Sequence, residues 1–312
     1  MKSEPTETAV SEVAAGIFRI DVCHPTVGRT CCYLITQDGH AVLVDCGAQN
    51  GVPTIMKTLE QTGVTLDWLI VTHAHLDHAA AAGQIMSRLP ETKMAGHPSA
   101  LKHLAEPAEK LAAAARKLYG AAFYNEQYHP LLPVDKMRLW PLADGEVISW
   151  LRPLRAIHTP GHAWHHLSVF DETADMIYAG DAYGVSFLKG GDGLPFILPV
   201  MPPTQFAPEE MANSIEHLRA LNARLAGLSH YGVVEDSDFL AEQQQIALKA
   251  WCKIADEAAT DDNCLAVLKE RLQNWVGEAA KQRGIAPDTA LQEHAHDIFL
   301  SVNGLFHWLQ KR

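Results

Sequence analysis

The stretch DWLIVTHAHLDHAAAAG, residues 67–83, constrains the fold more than any other. Its apolar opening does not alternate with polar residues, the mark of a strand covered on both faces. The run stops in three histidines and an aspartate within six positions (73–78), and the alanines that follow read as a helix. A strand covered on both faces, a polar loop at its end and a helix beyond it belong to a layered α/β architecture.

The neighbouring segments agree. IFRIDV, TCCYLIT and AVLVDCG read as short strands, and Asp38-Gly39 favours a hairpin between the last two. PTIMKTLEQTG has helical spacing and a glycine stop. Residues 105–130 are Ala-rich and helical and end in YGAAFYNEQYHP, an excursion inserted between core elements. Strands are expected near VISWL and LRPLRAIHT, then a hairpin from HLSVF through DETAD to MIYAGD. From Pro208 onward the spacing predicts helices over PEEMANSIEHLRALNARL, DFLAEQQQIALKAWCKIADEA, CLAVLKERLQNWVGEAAKQRG and TALQEHAHDIFLSVNGLFHWLQ. The reading is therefore a core over 1–207 and a helical extension over 208–312, with residues 190–204 as a loop crossing between them. LPFILPVMPP would line an apolar acyl pocket or pack the extension on the core. Phe299, Leu305, Phe306 and Trp308 would seal that seam or a homodimer contact.

Thirty-seven acidic against 25 basic residues give a formal net charge of -12, and the basic residues are scattered. Such a chain has no stripe to neutralise a phosphate backbone, so nucleic acid is not an expected partner. MKSEPTETAV lacks the apolar stretch of a secretory signal, and no run is long enough to span a bilayer. The expectation is a cytoplasmic protein without a membrane partner that acts on a small molecule. Six cysteines without C-x-x-C spacing read as reduced thiols. Seventeen histidines make metal chemistry worth testing.

His73 and His75 lie two apart after a strand and project to the same side; Asp77 and His78 follow in the turn into a helix. Further ligand types appear where later strands end: His162 in TPGH, Asp181 in YAGD and His230 in LSHYG. Imidazole and carboxylate together suit zinc, iron or manganese.

In the type and order of VLVDCG, THAHLDH, HTPGH, YAGD and LSHYG, the chain resembles the metallo-β-lactamase superfamily and within it the glyoxalase II-like hydrolases. The resemblance covers roughly residues 15–235. It implies a four-layer αββα sandwich, here with added C-terminal helices, and two divalent metal ions, zinc first among the candidates. It also implies that His73, His75 and His162 hold one metal, that Asp77, His78 and His230 hold the other, and that Asp181 bridges them. Asp45 in VDCG would support the ligands from behind.

Two metals about 3.5–4 Å apart lower the pKa of a bridging water, which makes a hydrolase of a small ester, thioester or lactone the leading expectation. Asp77 would also orient the nucleophile or pass its proton to the leaving group. Tyr183, two residues past Asp181, is a candidate substrate contact; related lactonases place their tyrosine one residue further on. His165 stands where many relatives carry glycine, and the basic residues of the extension (Lys269, Arg271, Lys281, Arg283) read as a solvated face, so glutathione specificity is not expected. The competing readings are a regulatory protein on the same fold and a single-iron dioxygenase.

Overall fold

The computed structural model describes residues 9–107 and 110–312. The first eight residues of the polar N-terminal stretch, and residues 108 and 109 of the excursion, lie outside that range. The chain divides into two compact units, residues 1–143 with 149–152 and residues 144–148 with 153–312.

Unit 1 is built on a seven-stranded sheet in sequence order: β1 (Val10–Ala14), β2 (Ile17–Asp21), β3 (Cys31–Gln37), β4 (His40–Val44), β5 (Thr65–Val71), β6 (Lys93–Gly96) and β7 (Leu139–Pro141). The first four strands pair antiparallel; β4 to β7 pair parallel. Asp38 and Gly39 take φ of 50° and 81° and join Gln37 to His40, the left-handed pair that an Asp-Gly hairpin turn needs. The end of β5, Leu69-Ile70-Val71, is wholly buried, as the unbroken apolar run requires.

Helices α1 (Val52–Thr62), α2 (Leu76–Ala79), α3 (Ala82–Arg88) and α4 (Pro98–Ala105) alternate with these strands. Helix α1 starts with proline in its first turn and ends on Gly63 at φ 67°, whose N–H returns to the carbonyls of Leu59 and Glu60. It inserts Ile55 and Leu59 among Leu43, Leu69 and Val71; each such side chain contributes about 1.5–3 kcal/mol of burial. The excursion forms two short helices, α5 (Leu111–Tyr119) and α6 (Ala121–Gln127). Their apolar faces cover Leu76 and Ala80 at the two ends of α2.

Unit 2 carries a six-stranded sheet and a separate two-stranded one. Its strands are β8 (Val147–Ser149), β9 (Pro153–His158), β10 (Leu167–Asp171), β11 (Met176–Gly180), β12 (Val185–Lys189), β13 (Pro195–Leu198), β14 (Leu225–Leu228) and β15 (Gly232–Val234). The larger sheet has the order β15-β14-β11-β10-β9-β8, and β12 pairs with β13. Helix α7 (Pro208–Ala220) precedes β14; α8 (Ser237–Ala258), α9 (Cys264–Gln282), α10 (Pro287–Glu293) and α11 (Ala295–Leu309) follow β15. Among the described residues no helix is long and apolar enough to cross a membrane.

Three local expectations are corrected here. The helix expected over 208–225 stops at Ala220; Asn222 turns the chain at φ 52°, and Leu225–Leu228, buried throughout, pairs parallel to β11. An apolar run of four can serve as strand or helix, and the place beside β11 decides it. The 190–204 segment is not all loop, since Pro195–Leu198 pairs antiparallel to β12. Phe196, Ile197, Leu198 and Met201 are at most 5% exposed and belong to the hydrophobic core of unit 2. The last expected helix breaks at His294. Beyond the break Leu305 is fully buried, Trp308 meets Phe206 edge-on at 6.4 Å, and Phe299 is 51% exposed.

Candidate metal centre

In unit 1 the ligand-type residues follow directly from β5. His73 is wholly buried in the loop; His75 adopts extended backbone at the head of α2, and Asp77 and His78 occupy its single turn. The nearest ligand atoms of His73 lie within 4.8 Å of those of both His75 and His78, and those of Asp77 and His78 are equally close. His73 Nε2 faces His75 Nδ1 at 2.9 Å, and His78 Nε2 faces an Asp77 carboxylate oxygen at 3.6 Å. The cluster thus presents two pairs of ligand atoms.

Asp45 sets which nitrogens carry protons. It ends β4 at φ 59°, is 2% exposed, and accepts from the Thr72 amide at 2.8 Å and the Thr72 hydroxyl at 3.0 Å. Its other oxygen faces His78 Nδ1 at 2.9 Å, so that nitrogen donates. Since the Thr72 hydroxyl spends its proton on Asp45, it accepts from His73 Nδ1, 3.0 Å away. In both rings Nδ1 holds the proton and Nε2 presents a lone pair, the tautomer a metal-ligating imidazole needs.

Unit 2 repeats this logic on a carboxylate. His162 Nδ1 donates to the Val200 carbonyl at 3.0 Å, which leaves the Nε2 lone pair facing Asp181 Oδ2 at 3.2 Å. The other oxygen, Asp181 Oδ1, faces His230 Nε2 at 3.6 Å. Asp181 is 3% exposed, His162 2% and His230 9%. Lone pair against carboxylate is repulsive at this depth unless a positive charge lies between them, which a proton or a divalent cation held by these atoms would supply. The donor set therefore has a composition that could hold a metal.

The backbone around Asp181 is fixed by a row of buried hydrogen bonds. Its amide donates to His166 Nε2 at 3.0 Å, so His166 Nδ1 donates to Thr159 Oγ1 at 2.7 Å. Thr159 in turn donates to Ser168 Oγ at 3.1 Å, and Ser168 donates to the Ala179 carbonyl at 3.1 Å. His166 thus holds the chain that bears Asp181. The loop that carries His162 is pinned at Gly161, whose φ is 133° and where a Cβ would stand 2.3 Å from Met211 Cα.

Tyr183 follows two residues after Asp181. Its ring is fully buried in the core of unit 2, and among the described residues its hydroxyl has no hydrogen-bond partner. Burial pushes the phenol well above its ordinary pKa; Asp238 adds to the rise and Arg219 opposes it, so the charges it senses belong to α7 and the start of α8. His97 caps α4 by accepting from the Ser99 amide at 3.1 Å. All six cysteines are free thiols.

Comparison with known proteins identifies the family. Residues 25–230 match the family described as the metallo-beta-lactamase superfamily, and the chain belongs to it. A metallo-beta-lactamase fold-containing protein of Sulfurisphaera tokodaii is 25% identical over 213 residues, 65% of this chain and 72% of its own. A hydroxyacylglutathione hydrolase of Aeromonas salmonicida is 25% identical over 190 residues, 61% of this chain and 56% of its own, so the chain spans about half that relative. The crystal structure of a metallo-beta-lactamase family protein of Thermus thermophilus superposes with a TM-score of 0.70 at 20% identity, covering 96% of this chain and 95% of that one. The fold is the mixed α/β metallo-β-lactamase fold with added C-terminal helices.

Proposed function

We propose that the two clusters complete one another in a dinuclear centre, and that the protein is a hydrolase of a small ester, thioester or lactone. Membership of a superfamily made up mostly of metal-dependent hydrolases supports the reaction class. The observation that carries the dinuclear reading is the arrangement around Asp181, where each carboxylate oxygen faces its own histidine Nε2. That is how a carboxylate is placed to serve two cations at once. The two ligand pairs of unit 1 supply the remaining partners. His73 and His75 would join His162 on one cation; Asp77 and His78 would join His230 on the other.

When bound, such a pair polarises the scissile carbonyl and makes water acidic enough to ionise near neutral pH. The chain's own residues do the rest. Asp45 keeps His73 and His78 in the ligating tautomer, and the Val200 carbonyl does the same for His162. Asp77, the most exposed carboxylate of the set with its side chain 27% accessible, would take a proton and return it to the leaving oxygen or sulfur. A relative named as a hydroxyacylglutathione hydrolase supports an acyl substrate. Glutathione itself is not proposed, because Arg271 bonds Glu257 and Arg283 bonds Asp192 within the protein.

Metal analysis of protein as purified and after reloading, joined to a panel of thioesters, lactones, esters and phosphodiesters, tests the reading. Two divalent ions per chain and turnover of one acyl class, abolished in Asp181→Asn, are expected. One iron per chain with oxygen uptake would replace it by the dioxygenase reading. Full metal loading without turnover on any acyl substrate would favour a regulatory role.

A further inference from the structure

The excursion of unit 1 ends in a set of rings that the hydrolase reading does not use. Tyr119, at the end of α5, and Phe123, on α6, are half-buried with ring centroids 5.5 Å apart. Behind them lie Tyr128, 2% exposed, and His24, 3% exposed. Tyr128 is 6.0 Å from Tyr119 and 5.9 Å from Phe123, and His24 is 5.0 Å from Tyr128.

Directional hydrogen bonds fix the backing pair. Asn50 Nδ2 donates to the Cys23 carbonyl at 3.2 Å, which settles the orientation of its amide. The same nitrogen donates to Gln127 Oε1 at 3.0 Å, so that oxygen is an acceptor and His24 Nδ1, 3.1 Å from it, must donate. His24 Nε2 then accepts, and the Tyr128 hydroxyl donates to it at 2.9 Å. Gln49 Nε2 staples the same end of the excursion to α2, reaching the carbonyls of Ala80, Tyr128 and Pro130 at 3.1, 3.1 and 2.8 Å. The rings therefore stand against the helix that carries Asp77 and His78. Consistently, the Tyr128 phenol is pushed well above its ordinary pKa, first by burial and then by the Asp77 carboxylate.

We infer that Tyr119 and Phe123, backed by the His24–Tyr128 pair, form an apolar face beside Asp77 that receives the acyl group of the substrate, and that the group it takes is bulky and uncharged. The inference rests on the hydrolase reading for the word substrate, but the face binds the acid product as well. Rings already held in place lose little freedom on binding, so their area converts efficiently into affinity. An aromatic face beside ligand-type residues, three histidines and one aspartate, suits the apolar half of an acyl compound whose carbonyl lies at the ligands.

Calorimetric titration of full-length, Zn2+-loaded protein with acetate and with phenylacetate tests this without turnover. Phenylacetate is expected to bind about tenfold more tightly than acetate, the effect of burying one small ring face. In Phe123→Ala the ratio is expected to fall to near one with acetate affinity unchanged, while Phe299→Ala, an exposed aromatic of unit 2, keeps it. If Phe123→Ala does not fold, Phe123→Leu and Tyr119→Leu are expected to lower the ratio by a smaller factor. Equal affinities in the wild type, no binding of either acid, or an unchanged ratio in the variants overturn the inference. Loss of the hydrolase reading looks different: no turnover of any acyl substrate, with the tenfold ratio intact.

Discussion

The His78 ring donates Nδ1–H to the Asp45 carboxylate at 2.9 Å, with the histidine fully buried and the aspartate 2% exposed. One carboxylate thereby directs two imidazoles, since the Thr72 hydroxyl passes its influence to His73. Asp45→Asn keeps a side chain that tolerates the left-handed backbone at φ 59° but turns an amide toward donors. Metal affinity is expected to drop about 10–100-fold while the fold stays intact. Competition against a chromophoric chelator measures it, and an unchanged affinity would remove Asp45 from the support of the site.

At Gly161 the left-handed backbone and the approach of α7 leave no room for a side chain. Gly161→Ala is expected to lower stability by at least about 2 kcal/mol, strain and overpacking acting together. Because His162 is the next residue, metal content should fall as well. Denaturant unfolding beside metal analysis reads both, and a variant as stable as the parent would contradict the packing described.

Tyr183 carries an orphan hydroxyl in an apolar interior. Its removal in Tyr183→Phe is expected to leave stability equal or raised by up to about 1 kcal/mol, since an unpartnered buried hydroxyl costs free energy, and to leave kcat/KM within about twofold. A hundredfold loss of turnover would instead place this ring at the reacting carbonyl.

Alkaline pH should act through buried thiols. Cys252 is pushed up to about 12, first by burial and then by Asp256, and burial also holds Cys32 and Cys46 well above the ordinary thiol range. Below about pH 8.5 the thiols are protonated in both states and their contribution to stability is complete. Above that pH the unfolded chain ionises first, so stability should fall steadily as pH rises toward 12. Thiol labelling at pH 8 should spare Cys32 and Cys46 and reach Cys264, which is half-buried with a pKa raised only modestly. Rapid labelling of Cys32 would contradict the burial.

Much of this was legible in the chain itself. The unbroken apolar run of β5, the Asp-Gly turn and the ligand-type residues after strand ends each follow from local chemistry. What stayed hidden depends on partners distant in sequence. LAGL became a strand because an open edge of β11 stood beside it. Position alone did not say which way the Tyr183 ring would leave the chain. Thr72, adjacent to His73, was open to recognition as the link to Asp45; the Val200 carbonyl that orients His162 carries no side-chain signature at all.

The row that starts at the Asp181 amide and finishes at the Ala179 carbonyl returns to within two residues of its origin. Each member has one proton to give and one neighbour to give it to, so replacing a single member strands the next one in the buried interior. Exchanging neighbours together for apolar groups of similar shape avoids that penalty. Thr159, His166 and Ser168 are therefore expected to vary as a set, and paired substitutions there should prove milder than the sum of single ones.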